Sequence, residues 1–322
     1  MTAPLAAVPA VTVVIATLDR RAWLAEAVES VRQQRGVRWE LIVVNSTQDD
    51  TIQWLSGLGD PSIRGVQLPS PAERSTARNQ GLAAVSSPLV MFLDDDDTLE
   101  DRSLAVLTRA ILARPDAVAA VGARRDWYVV AGRRRRDAHP RLPRTRRAFE
   151  DFLFGWSAVS GQNVYRTEAV RRAGAYDPSI SFAEDRDLWL RVSRLGPIVL
   201  RPEIVMTYRI HAHQRGAADL RRLREMVARR AIQQLPRHDR RRGLAIRRSA
   251  ALVSEAEDAM RAGHPLRALG LTARAAVLPP APFLSPLIGP WIVQRLAYAA
   301  WARVRPRLRP SVPKPNIWPP GS

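Results

Sequence analysis

The residues best suited to chemistry are acidic, and they stand where an acid run is costly. Asp94, Asp95, Asp96 and Asp97 follow one another directly after the apolar stretch Leu89–Leu93. Four adjacent carboxylates raise one another's pKa unless a cation relieves the repulsion. Oxygen donors suit a hard divalent ion such as Mg²⁺ or Mn²⁺, and Mg²⁺ commonly takes one or two carboxylates, filling its other positions with water and substrate phosphate. The run therefore reads as a metal–diphosphate site. The competing reading is a helix start, where acids are favoured by the dipole and Asp97 or Thr98 would cap. The residues alone leave the two open. A second acidic pair, Glu184-Asp185, precedes Leu188, Val192 and Leu195 at i, i+4 and i+7, which puts it at the start of an amphipathic helix. A carboxylate there can act as a general base, or only favour the helix end. The chain has no cysteine, so thiol nucleophiles, disulfides and Cys-ligated zinc are excluded.

Regular elements must present these groups. Thr12–Thr17 (TVVIAT), Glu40–Val44, Ile63–Leu68 and Leu89–Leu93 are short apolar runs with the character of strands covered on both faces. Between and after them, helical spacing appears at Trp23–Val31, Thr51–Leu55, Ser75–Ala84 and Ser103–Ala113, the first with Asp19 or a neighbour as cap. Such alternation predicts an α/β fold: a Rossmann-like, mostly parallel sheet with helices on both faces. Ligands gather at the carboxyl ends of such strands, where Thr17–Arg20, Asn45–Asp50 and Asp94–Asp97 fall. From about Gly216 the pattern is helical only. Leu220, Leu223, Val227, Ile232 and Leu235 make one stripe, and Ala250–Met260 and Leu266–Val277 a hairpin joined at Gly263–Pro265. The expected organisation is a catalytic domain over 1–215, a helical region over 216–305 and a Pro-rich tail over 306–322.

Fifty basic residues against 31 acidic give a net charge of +19. Arg133–Arg147 contributes +7 and Arg221–Arg248 contributes +9, and neither holds an aromatic residue. A nucleic-acid surface would interleave the two, so no nucleic-acid partner is expected. The stretches read either as solvated charge or as peripheral contact with an anionic membrane. No signal-peptide pattern opens the chain and no run of about 20 apolar residues spans a bilayer. The proline-broken segment Pro279–Trp301 suits either a membrane interface or packing.

Six segments in order, TVVIATLDR, ELIVVNSTQDDT, ARNQG, FLDDDDTL, AGAYDPSISFAEDRDLWLRV and YRIHAHQ, together resemble the inverting glycosyltransferases of family 2, from about Val11 to about His213. The resemblance implies the GT-A fold, a nucleoside-diphosphate sugar donor, a saccharide or lipid-linked acceptor, and Mn²⁺ or Mg²⁺ as cofactor. It places Asp94 and Asp95 on the nucleotide sugar, with Asp94 nearer the ribose, and Asp96 on the metal. His211, with His213 close by as an alternative, would make the late metal or diphosphate contact. Thr17 and Asn45 would line the base pocket, Arg78 would approach the sugar-diphosphate, and Asp185 would be the base, with Glu184 positioning the acceptor. Trp156, Gly161 and Trp189 fall on the acceptor side. Asn45 departs from the Asp usual in the family; its amide both donates and accepts, which leaves the base open. The implied reaction is one in-line displacement with inversion, on the cytoplasmic side, in cell-surface polysaccharide or glycolipid assembly. A sugar nucleotidyltransferase would want a glycine-rich loop after the first strand, and ATLDRRAW has no glycine. A non-catalytic relative would have no reason to keep Asp94, Asp96 and Asp185 together.

Overall fold

Unbroken runs of branched and aliphatic residues make the central strands, as expected for a sheet covered on both faces. A computed structural model describes residues 11–69, 71–130, 133–138, 148–156, 158–210 and 217–278. It places β1 at Val11–Thr17, β2 at Trp39–Asn45, β3 at Ile63–Gln67 and β4 at Leu89–Asp94, all parallel in the order β3-β2-β1-β4. Val13, Val14, Ile15, Leu41–Val44 and Leu89–Leu93 are all buried, each worth about 1.5–3 kcal/mol relative to exposure. Helices α1 (Arg21–Arg32), α2 (Thr51–Gly57) and α3 (Arg74–Ala83) connect these strands. Leu24, Ala27, Val28 and Val31 of α1 recur at i, i+3, i+4 and i+7 and face the core. No side chain caps α1, contrary to the expectation for Asp19. Asp19 instead takes a left-handed φ of 54° and donates its N–H to Thr47 Oγ1 at 3.0 Å, tying the exits of β1 and β2 together.

Beyond β4 the sheet becomes mixed. The two-residue β5 (Thr98–Leu99) leads to α4 (Ser103–Leu112), then β6 (Ala119–Val130) and β7 (Arg133–Ala138). After α5 (Ala148–Phe154) come β8 (Asn163–Arg166), α6 (Thr167–Arg172), α7 (Glu184–Val192) and β9 (Ile198–Ile210). β8 runs antiparallel to both β4 and β6, and β9 runs parallel to β6 while β5 pairs antiparallel with β9. Helices α8 (Ala217–Gln233), α9 (Arg237–Ala262) and α10 (Pro265–Ala276) follow. Gly263, at φ 89°, turns α9 into the expected hairpin with α10.

The chain divides into two compact units: 1–128 with 135–142 and 158–210, and 129–134 with 143–157 and 211–322. The second unit takes in α5 as well as α8–α10, where the sequence reading placed one boundary near 215. Inside it Arg247 donates to the carbonyls of Leu153 and Phe154, ending α5, and pairs with Glu225 at 2.5 Å. Among the described residues no helix is long and apolar enough to cross a membrane. The segment Pro279–Trp301 and the tail lie outside the described residues.

Candidate active site

Strand order reverses between β1 and β4, and a ligand crevice forms outside the carboxyl ends at such a switch point. Register places Thr17 beside Asn45 and Ala16 beside Asp94, so the exits of β1, β2 and β4 are neighbours. Thr17 Oγ1 donates to Asp95 Oδ2 at 2.8 Å. Arg20 Nη1 spans Asp95 Oδ1 at 3.3 Å and Asp96 Oδ2 at 2.9 Å while 38% of its side chain stays exposed. Asp97 N–H donates to the Asp94 carbonyl at 3.2 Å, closing a turn that enters β5. The acids therefore precede a strand, not a helix; α4 begins only at Ser103.

Carboxylate oxygens of Asp94, Asp96 and Asp97 lie within 4.8 Å of one another. Asp97 Oδ1 accepts the Arg209 N–H from β9 at 2.8 Å, and its buried Oδ2 has no hydrogen-bond partner. Burial, then the charges of Asp96 and Asp94, push Asp97 well above the ordinary carboxylate range. Burial also raises Asp95 to about 6 against the Thr17 hydrogen bond and Arg20. Asp94 goes the other way: burial would raise it, but Arg78 and Arg74 hold it low. Three hard oxygen donors, mutual repulsion and one orphaned buried acceptor fit a divalent cation. Asp97 belongs to this set, whereas the resemblance implied only Asp96 of the run as a metal ligand. His211 and His213 lie outside the described residues.

Helix α3 joins the acid run to the second acidic pair. Arg78, 2% exposed, directs Nη1 to Glu184 Oε1 at 2.8 Å and Nη2 to Asp94 Oδ1. Its guanidinium lies 5.0 Å from the centroid of the Tyr176 ring. Arg74, one turn earlier, reaches Glu184 Oε1 at 3.4 Å. Ser75 Oγ donates to the Ile180 carbonyl at 3.2 Å, and the Asn79 amide exchanges bonds with the Tyr176 backbone at 2.8 and 3.0 Å. This face of α3 is thus a splint for the segment that ends in Glu184-Asp185. Ala183 enters α7 in the left-handed region at φ 62°, a conformation costing a non-glycine residue of order 1 kcal/mol. Asp185, half-buried, accepts the Arg186 N–H at 2.7 Å.

Other expected site residues fall differently. Asn45 is fully buried, its Nδ2 directed at the Thr47 carbonyl, Asp49 Oδ1 and Gln67 Oε1 within 3.1 Å. It organises the loop after β2. Trp189 is fully buried with its ring centroid 4.7 Å from that of Tyr165; this core position corrects its expected acceptor contact. Gly161 has φ +81°, and a Cβ there would stand 2.7 Å from Leu93 Cδ1, so it lets the backbone pass over the end of β4. Trp156 belongs to the second unit, packed on Phe152 with ring centroids 4.8 Å apart. Arg20, placed by the sequence only at a strand exit, and Arg74 and Tyr176 had been assigned no role. Arg20 directly follows the first strand exit and Arg74 stands four residues before Arg78, the signals that could have found them.

The family described as Glycosyl transferase family 2 matches residues 12–174, and the chain belongs to it. The succinoglycan biosynthesis protein ExoO of Rhizobium meliloti is 32% identical over 114 residues, 35% of this chain and 32% of ExoO. The chain spans about a third or less of the first curated relatives it matches. In fold it is similar to residues 1–349 of TarS from S. aureus, a structure also solved with UDP-GlcNAc, with TM-score 0.59 at 15% identity over 92% of this chain and 91% of that one. It is also similar to the mannosyltransferase PcManGT from Pyrobaculum calidifontis with GDP-Man and Mn²⁺, with TM-score 0.51 at 18% identity over 92% and 87%. The architecture is therefore GT-A-like, with a helical region after it.

Proposed function

We propose that the chain is a metal-dependent inverting glycosyltransferase, moving a sugar from a nucleoside-diphosphate sugar to a hydroxyl of a saccharide or lipid-linked acceptor. The observation that carries this is the bridge from Asp94 through Arg78 to Glu184, which sets the acid run beside the start of α7. Its setting would be cell-surface polysaccharide or glycolipid assembly at the cytoplasmic side; the name of ExoO supports the pathway class. Catalysis would belong to residues up to about 215.

Asp96, with Asp94 and Asp97, would hold Mn²⁺ or Mg²⁺, and His211 would add a late contact. Bound there, such an ion supplies positive charge for the departing diphosphate. Thr17 fixes Asp95 toward the nucleotide sugar, and the half-exposed Arg20 offers a cationic donor on the same side. Asp185 takes the acceptor proton as the acceptor oxygen bonds to the anomeric carbon, while the bond from that carbon to the diphosphate breaks and its electron pair leaves with the diphosphate. Glu184, locked on Arg78 and Arg74, holds the helix start and orients the acceptor, and Gly161 keeps the backbone close to the end of β4.

The test is transfer from a panel of nucleotide sugars, with added Mn²⁺ or with chelator, to a simple glycoside acceptor. Asp185→Asn should lower transfer by about 10²–10⁴-fold while donor affinity by calorimetry is retained, chelator should abolish turnover, and the product anomer by NMR should be inverted. Undiminished transfer by the variant removes Asp185 from the mechanism, and a retained anomer removes the single displacement.

A further inference from the structure

Helix α10 has two apolar faces, and among the described residues only one is covered. Ala268, Leu271 and Ala275 are buried where α10 packs along α9, with Ser249 Oγ donating to the Ala275 carbonyl at 3.0 Å. On the opposite side Leu266 is 83% exposed, Leu269 67% and Val277 79%, with Gly270 and Ala273 also open. Their spacing of i, i+3, i+4, i+7 and i+11 makes one continuous stripe. Single exposed leucines are ordinary on a protein surface, whereas a contiguous stripe marks a contact.

Charge identifies what that contact is. Arg267 and Arg274 lie exposed beside the stripe, and α10 contains no acid. The chain from Ala259 to Ser322 carries nine basic residues and not one Asp or Glu, together with Phe283, Trp291, Tyr298, Trp301 and Trp318. On α9, Arg237, Arg241 and Arg248 are exposed in one row with Leu244 between them. Apolar side chains edged by arginine, in a stretch of sequence free of acids and rich in aromatic residues, complement a surface that is greasy inside and negative outside.

We propose that the outer face of α10 docks on an anionic lipid bilayer, Leu266, Leu269 and Val277 entering the headgroup–acyl boundary while Arg267 and Arg274 meet lipid phosphates. This goes beyond the transfer reaction and does not rest on it. The full chain should float with phosphatidylcholine vesicles containing phosphatidylglycerol, weakly with phosphatidylcholine alone, and less at high salt. Leu266→Ser combined with Leu269→Ser and Val277→Ser should weaken that binding by about tenfold or more, with helix content unchanged. Arg267→Gln with Arg274→Gln should weaken it on anionic vesicles by about fivefold per arginine.

Because the chain has no cysteine, Leu269→Cys gives a single labelling site that does not depend on removing the apolar stripe. An environment-sensitive fluorophore there should shift to the blue on anionic vesicles and not in buffer. Absence of flotation by the wild type, flotation of the triple serine variant like wild type, or an unshifted fluorophore would each overturn the proposal. So would a wild-type dimer that the triple variant splits into monomers, since the stripe would then belong to a second copy of the chain. Transfer to a soluble acceptor by the triple variant should match wild type.

Discussion

Arg78 carries more of the site than any other single residue. It is buried, it faces carboxylates on both sides, and its planar fork lets two nitrogens serve two different partners. Removing one member of a buried ion pair leaves its partners uncompensated, at about 3–5 kcal/mol. Arg78→Met should therefore lower the unfolding free energy by about that much in urea titration. Arg78→Lys keeps the charge in one ammonium that cannot span Asp94 and Glu184 together, so it should retain most of the stability yet reduce kcat more than donor affinity. Equal kcat in the lysine variant would show that the bridge only holds the fold. At this scale the acid run was legible: Asp94, Asp95, Asp96 and Asp97 stand out because adjacent carboxylates after an apolar run are costly without a purpose, whereas a role for Asp185 came only with the resemblance. The contacts of Arg20, Arg78 and Asp97 were not legible, since each depends on which distant residue it meets.

Among the elements, β1, β2 and β4 were readable because a run of buried branched residues is a local signal, and the structure places them within a residue or two of the expected bounds. β5 was not. Two residues make a strand only because Met206 and Thr207 of β9 arrive to pair with them, and no local pattern encodes that arrival. Leu195 illustrates the same limit, since it extends the apolar spacing of α7 although the helix ends at Val192. Helix α3 shows how close packing sets a residue type. A Cβ at Gly81 would overlap Val14 Cγ1 and stand 3.2 Å from Val44 Cγ2. Alanine gains about 0.5–1 kcal/mol of helix propensity over glycine, but overpacking costs about 1–3 kcal/mol. Overpacking wins, so Gly81→Ala should lower the urea midpoint, and a raised midpoint would show that Val14 yields.

For the whole molecule, charge decides behaviour in acid and at surfaces. In the second unit burial would raise the Glu225 carboxyl, but hydrogen bonds and charge from Arg247 and Arg229 outweigh it and hold it below the usual carboxylate range. A carboxyl lowered on folding contributes stability above its unfolded pKa and loses it as pH falls through the folded value. Wild type and Glu225→Gln should therefore differ in thermal stability at pH 7 and converge as pH falls through the lowered pKa of the folded carboxyl, as read by circular dichroism of the helices. A difference that stays constant throughout the acid range would assign the effect to packing. The net +19 also implies strong salt dependence of any contact with a negative surface.

The four residues Arg74, Ser75, Arg78 and Asn79 grip the stretch from Tyr176 to Glu184. Anyone wishing to graft a relative's version of this stretch onto this scaffold must transplant both pieces as a matched set. A chimera that swaps residues 176–192 alone would inherit a lock without its key, misplacing the graft before any sugar arrives.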